Sequence, residues 1–213
     1  MQGKGFSNAC LHARNTHTTI QVTNVLNKED ARILAKQQTK AIAEELRQAA
    51  SKRICKNLQS FLKSYSPKSG PKTIGTFAAT SLEPNLAQLH ELLPSFSFAY
   101  PLILKKGKME FYLVEDHGSL ELGKYNILAP NPKKHQKIKH SEIDAILCPA
   151  WAYSRTFHRL GKGGGYYDRY LSQRPNFTAF GVHFEEMFWD YLPVESHDVP
   201  VLSCISESKI RTR

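Results

Sequence analysis

Glycine, basic and acidic residues are concentrated between Arg159 and Leu171, where the chain reads RLGKGGGYYDRYL. Glycine has no Cβ atom, so its backbone can adopt positive φ angles and approach a ligand closely. Successive backbone N–H groups in such a loop can form a concave anion-binding surface. If a helix begins near Tyr166, its N-terminus adds unpaired N–H donors and partial positive charge. The segment therefore predicts a phosphate-binding loop, with Asp168 placed to meet a metal ion carried by the phosphate.

This glycine-rich loop differs from the two commonest phosphate-binding motifs. The P-loop requires G-x-x-x-x-G-K-[ST], but no Ser or Thr follows the lysine here. The dinucleotide-binding motif G-x-G-x-x-G requires a glycine where this chain has Tyr166. A glycine run alone is equally well explained by a flexible turn between a strand and a helix. The flanking Arg, Tyr-Tyr and Asp make the complete string far more specific.

Other charged residues stand where they could join such a site. Lys28 and Arg32 are four residues apart at the start of a helical segment, which puts both on one helix face. From spacing alone, a solvated basic face explains this pair better. Glu83 precedes a predicted helix, where acidic residues are favoured without any function. Asp198, in ESHDVPV, most simply ends a turn before a strand.

Predicted helices and strands are interspersed along the chain. Residues 28–63 carry apolar residues at helical spacing, which predicts one long helix or two helices that meet near Ala43. Shorter helices are predicted at 85–93 and 166–173. Strands are predicted at 73–80, 97–104 and 109–114 (a hairpin), 143–148, 178–184 and 199–205. This order predicts an α/β protein with an open, mostly parallel sheet and helices on both faces. Ligands bind such sheets beyond the carboxyl ends of strands, and the glycine-rich loop follows one of them.

Length and cysteine content limit the class of protein. The 213 residues show no break in composition, so we expect a flexible tail at residues 1–24 and a single domain at residues 25–213. The four cysteines are widely spaced and form no CxxC pair, so neither zinc nor a disulfide framework is expected. This pattern favours a reducing, cytoplasmic location. No apolar run is long enough to span a bilayer, so we expect no membrane partner.

The net charge of +10 favours anionic partners, such as nucleotides, polyanionic cofactors or RNA. The densest basic run, at residues 132–140, lacks interleaved aromatic residues, so it does not indicate a stacking platform for nucleic acid. We therefore expect no obligate nucleic-acid partner.

The string RLGKGGGYYDRYL closely resembles the motif RLGxGxGYYDxxL of the 5-formyltetrahydrofolate cyclo-ligases, also called methenyltetrahydrofolate synthetases. The resemblance runs from about residue 27 to residue 205, and the segment KEDAR at 28–32 fits the Lys-x-x-x-Arg pair of that family. The chain departs from the family pattern at Pro84-Asn85, at Ala129-Pro130 and at Met187. The resemblance implies a Rossmann-like fold of the CoA-transferase type and a monomer.

The same resemblance implies a role for each matching residue. It implies catalytic roles for Lys28, Arg32, Arg159 and Lys162. It implies ATP contacts for Lys28, Arg32, Arg159, Leu160, Gly161, Lys162, Gly163, Gly164, Gly165, Tyr166 and Tyr167. It implies folate contacts for Glu83, Met109, Lys162, Gly163, Gly164, Gly165 and Tyr166, with Phe111 on the same strand as Met109. It implies that Asp168 and Asp198 hold Mg²⁺ together with phosphate oxygens.

The activity that the resemblance implies is ATP-dependent closure of 5-formyltetrahydrofolate to 5,10-methenyltetrahydrofolate. ADP and phosphate are released, and the formyl oxygen is phosphorylated on the way. The implied partners are ATP and a reduced folate, which can carry a polyglutamate tail. Two alternatives stay open. A non-catalytic member of this fold would bind folate or RNA, and a sugar-phosphate isomerase on a similar scaffold would need an acid/base group and no ATP.

Overall fold

The computed structural model of the protein describes residues 27–65, 72–173 and 177–213. The predicted flexible tail at residues 1–24 lies outside these ranges. None of the helices described combines the length and the apolar character that crossing a bilayer requires.

The helices and strands have the following bounds. The α-helices are α1 (Lys28–Ala41), α2 (Glu44–Ser64), α3 (Leu89–Leu92) and α4 (Tyr166–Leu171). The first strands are β1 (Lys72–Gly75), β2 (Phe96–Ile103), β3 (Met109–Leu113), β4 (Glu121–Leu122), β5 (Leu128–Ala129) and β6 (Lys137–Ile138). The remaining strands are β7 (Ala145–Pro149), β8 (Ala152–Ser154), β9 (Arg159–Leu160), β10 (Ala179–Val182), β11 (Phe188–Trp189), β12 (Ser203–Ile205) and β13 (Ile210–Thr212).

The main sheet has the strand order β13-β12-β10-β7-β1-β2-β3-β6. Its central strands, from β12 to β2, pair in parallel, whereas β13, β3 and β6 pair antiparallel at the two edges. The open, mostly parallel sheet predicted from the sequence is therefore confirmed. The predicted hairpin is also present, because β2 and β3 are antiparallel neighbours.

Helices cover both faces of this sheet, as expected. The central strand β7 is buried on both faces of the sheet, which explains why its sequence is a continuous apolar stretch. Successive side chains of a strand point to opposite faces. Leu147 accordingly belongs to the core formed with α1 and α2, and Ile146 belongs to the core formed with α4. Burying each of these side chains contributes about 1.5–3 kcal/mol.

The first helical segment consists of two helices, which is the second of the two predicted arrangements. Asn27 caps α1, because its side chain accepts hydrogen bonds from the backbone N–H groups of Glu29 and Asp30. The backbone is extended at Ile42, and Arg47 Nη1 donates to the carbonyl oxygen of Ile42. This hydrogen bond satisfies a carbonyl that the end of α1 leaves without a helical partner.

Two predicted elements are much shorter in the structure, and both corrections bear on the site. The strand predicted at 73–80 ends at Gly75, after which the chain leaves the sheet. The helix predicted at 85–93 is reduced to the single turn Leu89–Leu92, because the Asn85 side chain accepts from the Ala87 N–H in a local turn. The strands predicted at 178–184 and 199–205 are also shorter, as β10 and β12. Segment 76–88 is therefore largely irregular.

The strand order locates the crevice where ligands are expected. The first parallel strand, β1, lies between β2 on one side and β7 on the other, so the order of connections reverses between β1 and β7. In open α/β sheets, ligands bind beyond the carboxyl ends of the strands at such a point. After β7, the antiparallel pair of β8 and β9 returns the chain directly to the glycine-rich loop.

Candidate functional site

A cavity of about 740 Å³ opens at this point of the sheet. Its volume is in the range of small-molecule sites. Apolar and aromatic side chains line most of it, among them Phe77, Met109, Trp151 and Tyr166. The polar groups that face it include Glu83, Arg159, Lys162 and Asp168.

The glycine-rich loop forms one wall of the cavity and leads into α4, which begins at Tyr166 as predicted. Gly163 has a φ of 98° and Gly165 a φ of 60°, both in the region that favours glycine. At Gly164 a Cβ atom would lie 2.5 Å from the Tyr166 ring. Side chains are therefore excluded from three consecutive positions, and the backbone stays accessible.

Glu83 and Lys162 join two walls of the cavity. Lys162 Nζ lies 2.8 Å from Glu83 Oε1. The other oxygen, Oε2, accepts from the backbone N–H of Thr80 at 2.9 Å and from its hydroxyl at 2.8 Å. Only 4% of the Glu83 side chain is exposed. The carboxylate thus fixes the irregular segment after β1 and attaches it to the glycine-rich loop.

Arg159 and Asp168 form a buried ion pair beneath this loop. Arg159 Nη2 donates to Asp168 Oδ1 at 2.6 Å, and only 2% of the Arg159 side chain is exposed. Arg159 Nη1 donates to the Val199 carbonyl oxygen, and the Val199 N–H donates to Asp168 Oδ1. Asp198, the neighbour of Val199, is therefore brought close to Asp168, although 30 positions separate them in sequence.

Helix α1 brings one cation to the glycine-rich loop and another to the segment that contains Asp198. Lys28 Nζ lies 2.7 Å from Asp198 Oδ2 and 3.4 Å from Glu195 Oε2. Arg32 Nε donates to the Gly161 carbonyl oxygen at 2.9 Å. Burial opposes the charge on Asp198, but the hydrogen bonds from Lys28 and from the Glu195 N–H outweigh it and hold the pKa of Asp198 below its ordinary value. Lys28, Arg32 and Asp198 contact the loop or its neighbours but do not line the cavity.

The remaining predicted residues divide between the cavity and the core. Met109 and Tyr167 line the cavity. Phe111, on the same strand as Met109, instead packs in the core with its ring centroid 5.0 Å from that of Tyr170. Leu160 is also a core residue, so only its backbone is available to a ligand.

Sequence reasoning missed three aromatic residues of the cavity, Phe77, Tyr125 and Trp151. Tyr125 lies on its rim with a φ of 61°, and its hydroxyl pairs with that of Tyr166, which raises the pKa of Tyr166. The residue type at this position could not have predicted its backbone conformation, because a positive φ is rare for a residue with a Cβ atom. Trp151 lies two residues beyond the end of β7. Its position just beyond a predicted strand end was the signal that could have identified it.

The acidic residues of the site suit magnesium held jointly with a ligand. Among residues 27–65, 72–173 and 177–213, no group of three or more His, Cys, Asp or Glu side chains could hold a metal ion. Mg²⁺ commonly uses one or two carboxylates and completes its octahedron with phosphate oxygens and waters. The contacts of Asp168 with other described residues go to Oδ1, so Oδ2 is available as a ligand. Asp168 therefore fits this ion as a ligand. Asp198 has both carboxylate oxygens bonded, Oδ1 to Lys28 and Oδ2 to the Glu195 N–H, and would bind the ion in exchange for one of these contacts.

Comparison with known proteins gives consistent results. The model of the 5-formyltetrahydrofolate cyclo-ligase family matches residues 24–207. The 5-formyltetrahydrofolate cyclo-ligase of Escherichia coli (strain K12) is 26% identical over 106 residues, which are 49% of this chain and 58% of that protein. The chain thus matches little more than half the length of this curated relative.

Two solved structures resemble the fold over a longer span. The NMR structure of Aquifex aeolicus 5,10-methenyltetrahydrofolate synthetase superposes with a TM-score of 0.72 at 25% identity, covering 87% of this chain and 92% of that one. A 5,10-methenyltetrahydrofolate synthetase from Mycoplasma pneumoniae has a TM-score of 0.68 at 22% identity, covering 85% of this chain and 99% of that one. The second similarity concerns the fold alone.

Proposed function

The chain belongs to the 5-formyltetrahydrofolate cyclo-ligase family, and on this premise we propose that it catalyses the ATP-dependent cyclisation of 5-formyltetrahydrofolate to 5,10-methenyltetrahydrofolate. The glycine-rich loop is the observation that carries the proposal. One side of it faces a largely apolar cavity of about 740 Å³, and Arg32 of α1 contacts it from outside that cavity, while Lys28 of the same helix pairs with Asp198. A folate in the cavity and a phosphate chain on the loop would meet at this backbone.

The reaction has to convert a poor leaving group into a good one. The formamide oxygen of the substrate attacks the γ-phosphorus of ATP, and ADP leaves. Atom N10 of the folate then attacks the activated formyl carbon and loses its proton, while phosphate departs with the former formyl oxygen. Because both nitrogens belong to one molecule, ring closure benefits from their fixed proximity.

Loop amides and cations bind the phosphate chain in this proposal. Positioning and charge neutralisation supply most of the catalysis in phosphoryl transfer. The backbone N–H groups of 161–165 bind the phosphates, and Lys28, Arg32 and Lys162 neutralise their charge. Arg159 is held by Asp168 and by the Val199 carbonyl, so it fixes the base of the loop.

Asp168 and Asp198 would hold Mg²⁺ beside this phosphate chain. The ion, when bound, neutralises the charge that develops on the phosphate oxygens. Asp168 accepts a hydrogen bond from the N–H of Val199, the residue that follows Asp198, so the two acidic residues belong to adjoining segments.

Glu83, Met109 and Tyr166 line the cavity on the folate side of the loop. The Glu83 carboxylate is an acceptor for the N–H groups of a pteridine, and Met109 and Tyr166 supply apolar contact to its ring. Because Glu83 also binds Lys162, one carboxylate connects the folate side with the phosphate side.

The test follows methenyltetrahydrofolate formation by absorbance, with and without ATP, and measures released ADP and phosphate. We expect one ADP and one phosphate for each methenyl product. Arg32→Gln should lower the rate strongly, whereas Arg155→Gln should not, because Arg155 is an exposed arginine paired with Asp190. A folded protein that binds folate but forms no product with ATP would instead be a non-catalytic binding protein, and the proposal would be wrong.

A further inference from the structure

Trp151 occupies the crevice where the strand order reverses. It comes directly after Ala150, at the carboxyl end of β7, and its backbone N–H donates to the Leu160 carbonyl oxygen at 2.8 Å. The hydrogen bond belongs to the turn that leads from β7 to the glycine-rich loop. This hydrogen bond fixes the main chain of Trp151, and its half-buried indole lines the cavity.

One side of the Trp151 indole packs against the core, and the other side faces Lys162. Trp151 packs against the core cluster formed with α1 and α2. Lys162 Nζ lies 5.7 Å from the ring centroid, within the range of a cation–π contact. The same ammonium group is bound to Glu83 Oε1. The partly exposed Lys162 side chain therefore covers an aromatic surface that lines the cavity.

We infer that Trp151 is a binding residue for the flat pteridine ring of the folate, which stacks on the indole face that Lys162 now covers. This inference rests on the proposed function and names the surface that selects the substrate's ring system. A rigid aromatic ring gains most from a planar, polarisable partner, and stacking on tryptophan excludes water from one whole face of that partner. Lys162 is displaced from the indole when the ring arrives, which frees its ammonium for the phosphate chain.

The chain offers a direct optical test, because it contains two tryptophans, Trp151 and Trp189. Trp189 lies on β11 and does not line the cavity. Trp189→Phe leaves Trp151 as the sole fluorophore, and Trp151→Phe leaves Trp189. Both variants are titrated with 5-formyltetrahydrofolate, and the second serves as the control for light absorbed by the ligand itself.

We expect saturable quenching in Trp189→Phe and no change beyond ligand absorption in Trp151→Phe. In turnover assays, Trp151→Ala should raise the KM for folate about tenfold, which is the loss of affinity expected when one aromatic stacking partner is removed. Trp151→Phe should raise it less, because a smaller ring still stacks. The KM for ATP should stay near that of the wild type in both variants. A general loss of folding would change the KM for ATP as well, so this measurement distinguishes a binding role from a folding defect.

The outcomes separate this inference from the proposed function. If the wild type turns over folate but Trp189→Phe is not quenched and Trp151→Phe keeps the wild-type folate KM, Trp151 is not a binding residue and the function stands. If the wild type neither binds nor converts folate, both are overturned. If Trp151→Ala does not fold, Trp151→Phe and the quenching of Trp189→Phe decide the question.

Discussion

Lys162 Nζ and Glu83 Oε1 lie 2.8 Å apart, so the glycine-rich loop is attached to the irregular segment that follows β1. The two residues are distant in sequence and come from loops beyond neighbouring strands. Glu83 makes its other hydrogen bonds to Thr80 within its own segment. One buried carboxylate therefore sets the shape of its segment and the position of the loop together.

Glu83→Ala should destabilise the protein more than Glu83→Gln. Alanine leaves the Thr80 N–H without its acceptor, at a cost of about 1–3 kcal/mol, whereas glutamine keeps a carbonyl oxygen for it. Because 39% of the Lys162 side chain is exposed, water screens its charge, and the lost ion pair adds little. Urea unfolding of both variants measures the difference. Equal destabilisation would contradict the role given to the Thr80 hydrogen bonds.

Gly163→Ala should lower the free energy of unfolding by about 1–2 kcal/mol, since it places a Cβ atom on a backbone with a φ of 98°. Gly161→Ala is the matched control for stability. Its φ is not positive, and its Cβ atom would have no neighbour within 4 Å. Thermal melting compares the two. If both substitutions cost the same, the left-handed backbone at Gly163 is not what requires glycine.

Gly164→Val should abolish ATP-dependent cyclisation and leave the fold largely intact. The Cβ atom would lie 2.5 Å from the Tyr166 ring, so the loop or the ring has to move. Valine also restricts the backbone that is proposed to bind phosphate. Circular dichroism checks folding, and nucleotide titration checks binding. A folded variant with normal ATP affinity and turnover would rule out the phosphate-binding loop.

Asp168→Asn and Asp198→Asn should both reduce turnover when magnesium is limiting, because each removes one of the proposed carboxylate ligands. Their effects on stability should differ. Asp168→Asn leaves the buried Arg159 without a counter-charge, at a cost of about 3 kcal/mol. Asp198→Asn should cost less, since Lys28 can still pair with Glu195. The measurements are initial rates over a range of magnesium concentrations and urea unfolding. Wild-type rates in both variants at limiting magnesium would exclude them as metal ligands.

His183 should make the protein less stable as the pH falls from about 6.5 to about 4. Burial lowers the pKa of His183 to about 4, against an ordinary value of about 6.5. The unfolded chain therefore binds a proton first, and about 3 kcal/mol of stability, complete above pH 6.5, is lost on the way down. His183→Gln should remove this loss, whereas His197→Gln should retain it because His197 is exposed. Urea unfolding at several pH values measures both, and an unchanged pH profile in His183→Gln would contradict the assignment.

The sheet and the glycine-rich loop could be predicted because their signals are local. An apolar run bounded by Pro149 reads as a buried strand, and the string from Arg159 to Leu171 is specific by itself. The sequence placed a possible break near Ala43, where it is found, but could not decide between one helix and two, because no proline or glycine marks the break. A side-chain contact from Arg47 of the next helix stabilises that boundary.

The cavity wall formed by the segment after β1 could not be predicted from the sequence. The strand predicted beyond Gly75 has good strand-forming residues, but Thr76 donates its N–H to the Ala99 carbonyl oxygen and the chain then turns away from the sheet. Glu83 holds it there through Thr80. The strand prediction was wrong at the segment that shapes the site, where the contacts of the site override the strand preference of the residues.

The ion pair of Lys28 with Asp198 joins residues 170 positions apart, and the hydrogen bond from Arg32 to Gly161 spans 129. During synthesis, α1 leaves the ribosome long before either of its partners exists. A nascent chain could form its first helices and part of its sheet early, since domains fold progressively as they emerge. The phosphate side of the site, however, can be completed only when the segment around Asp198 has been made. The proposed nucleotide binding would therefore arise late in the biogenesis of the protein, and a prematurely terminated product would lack it.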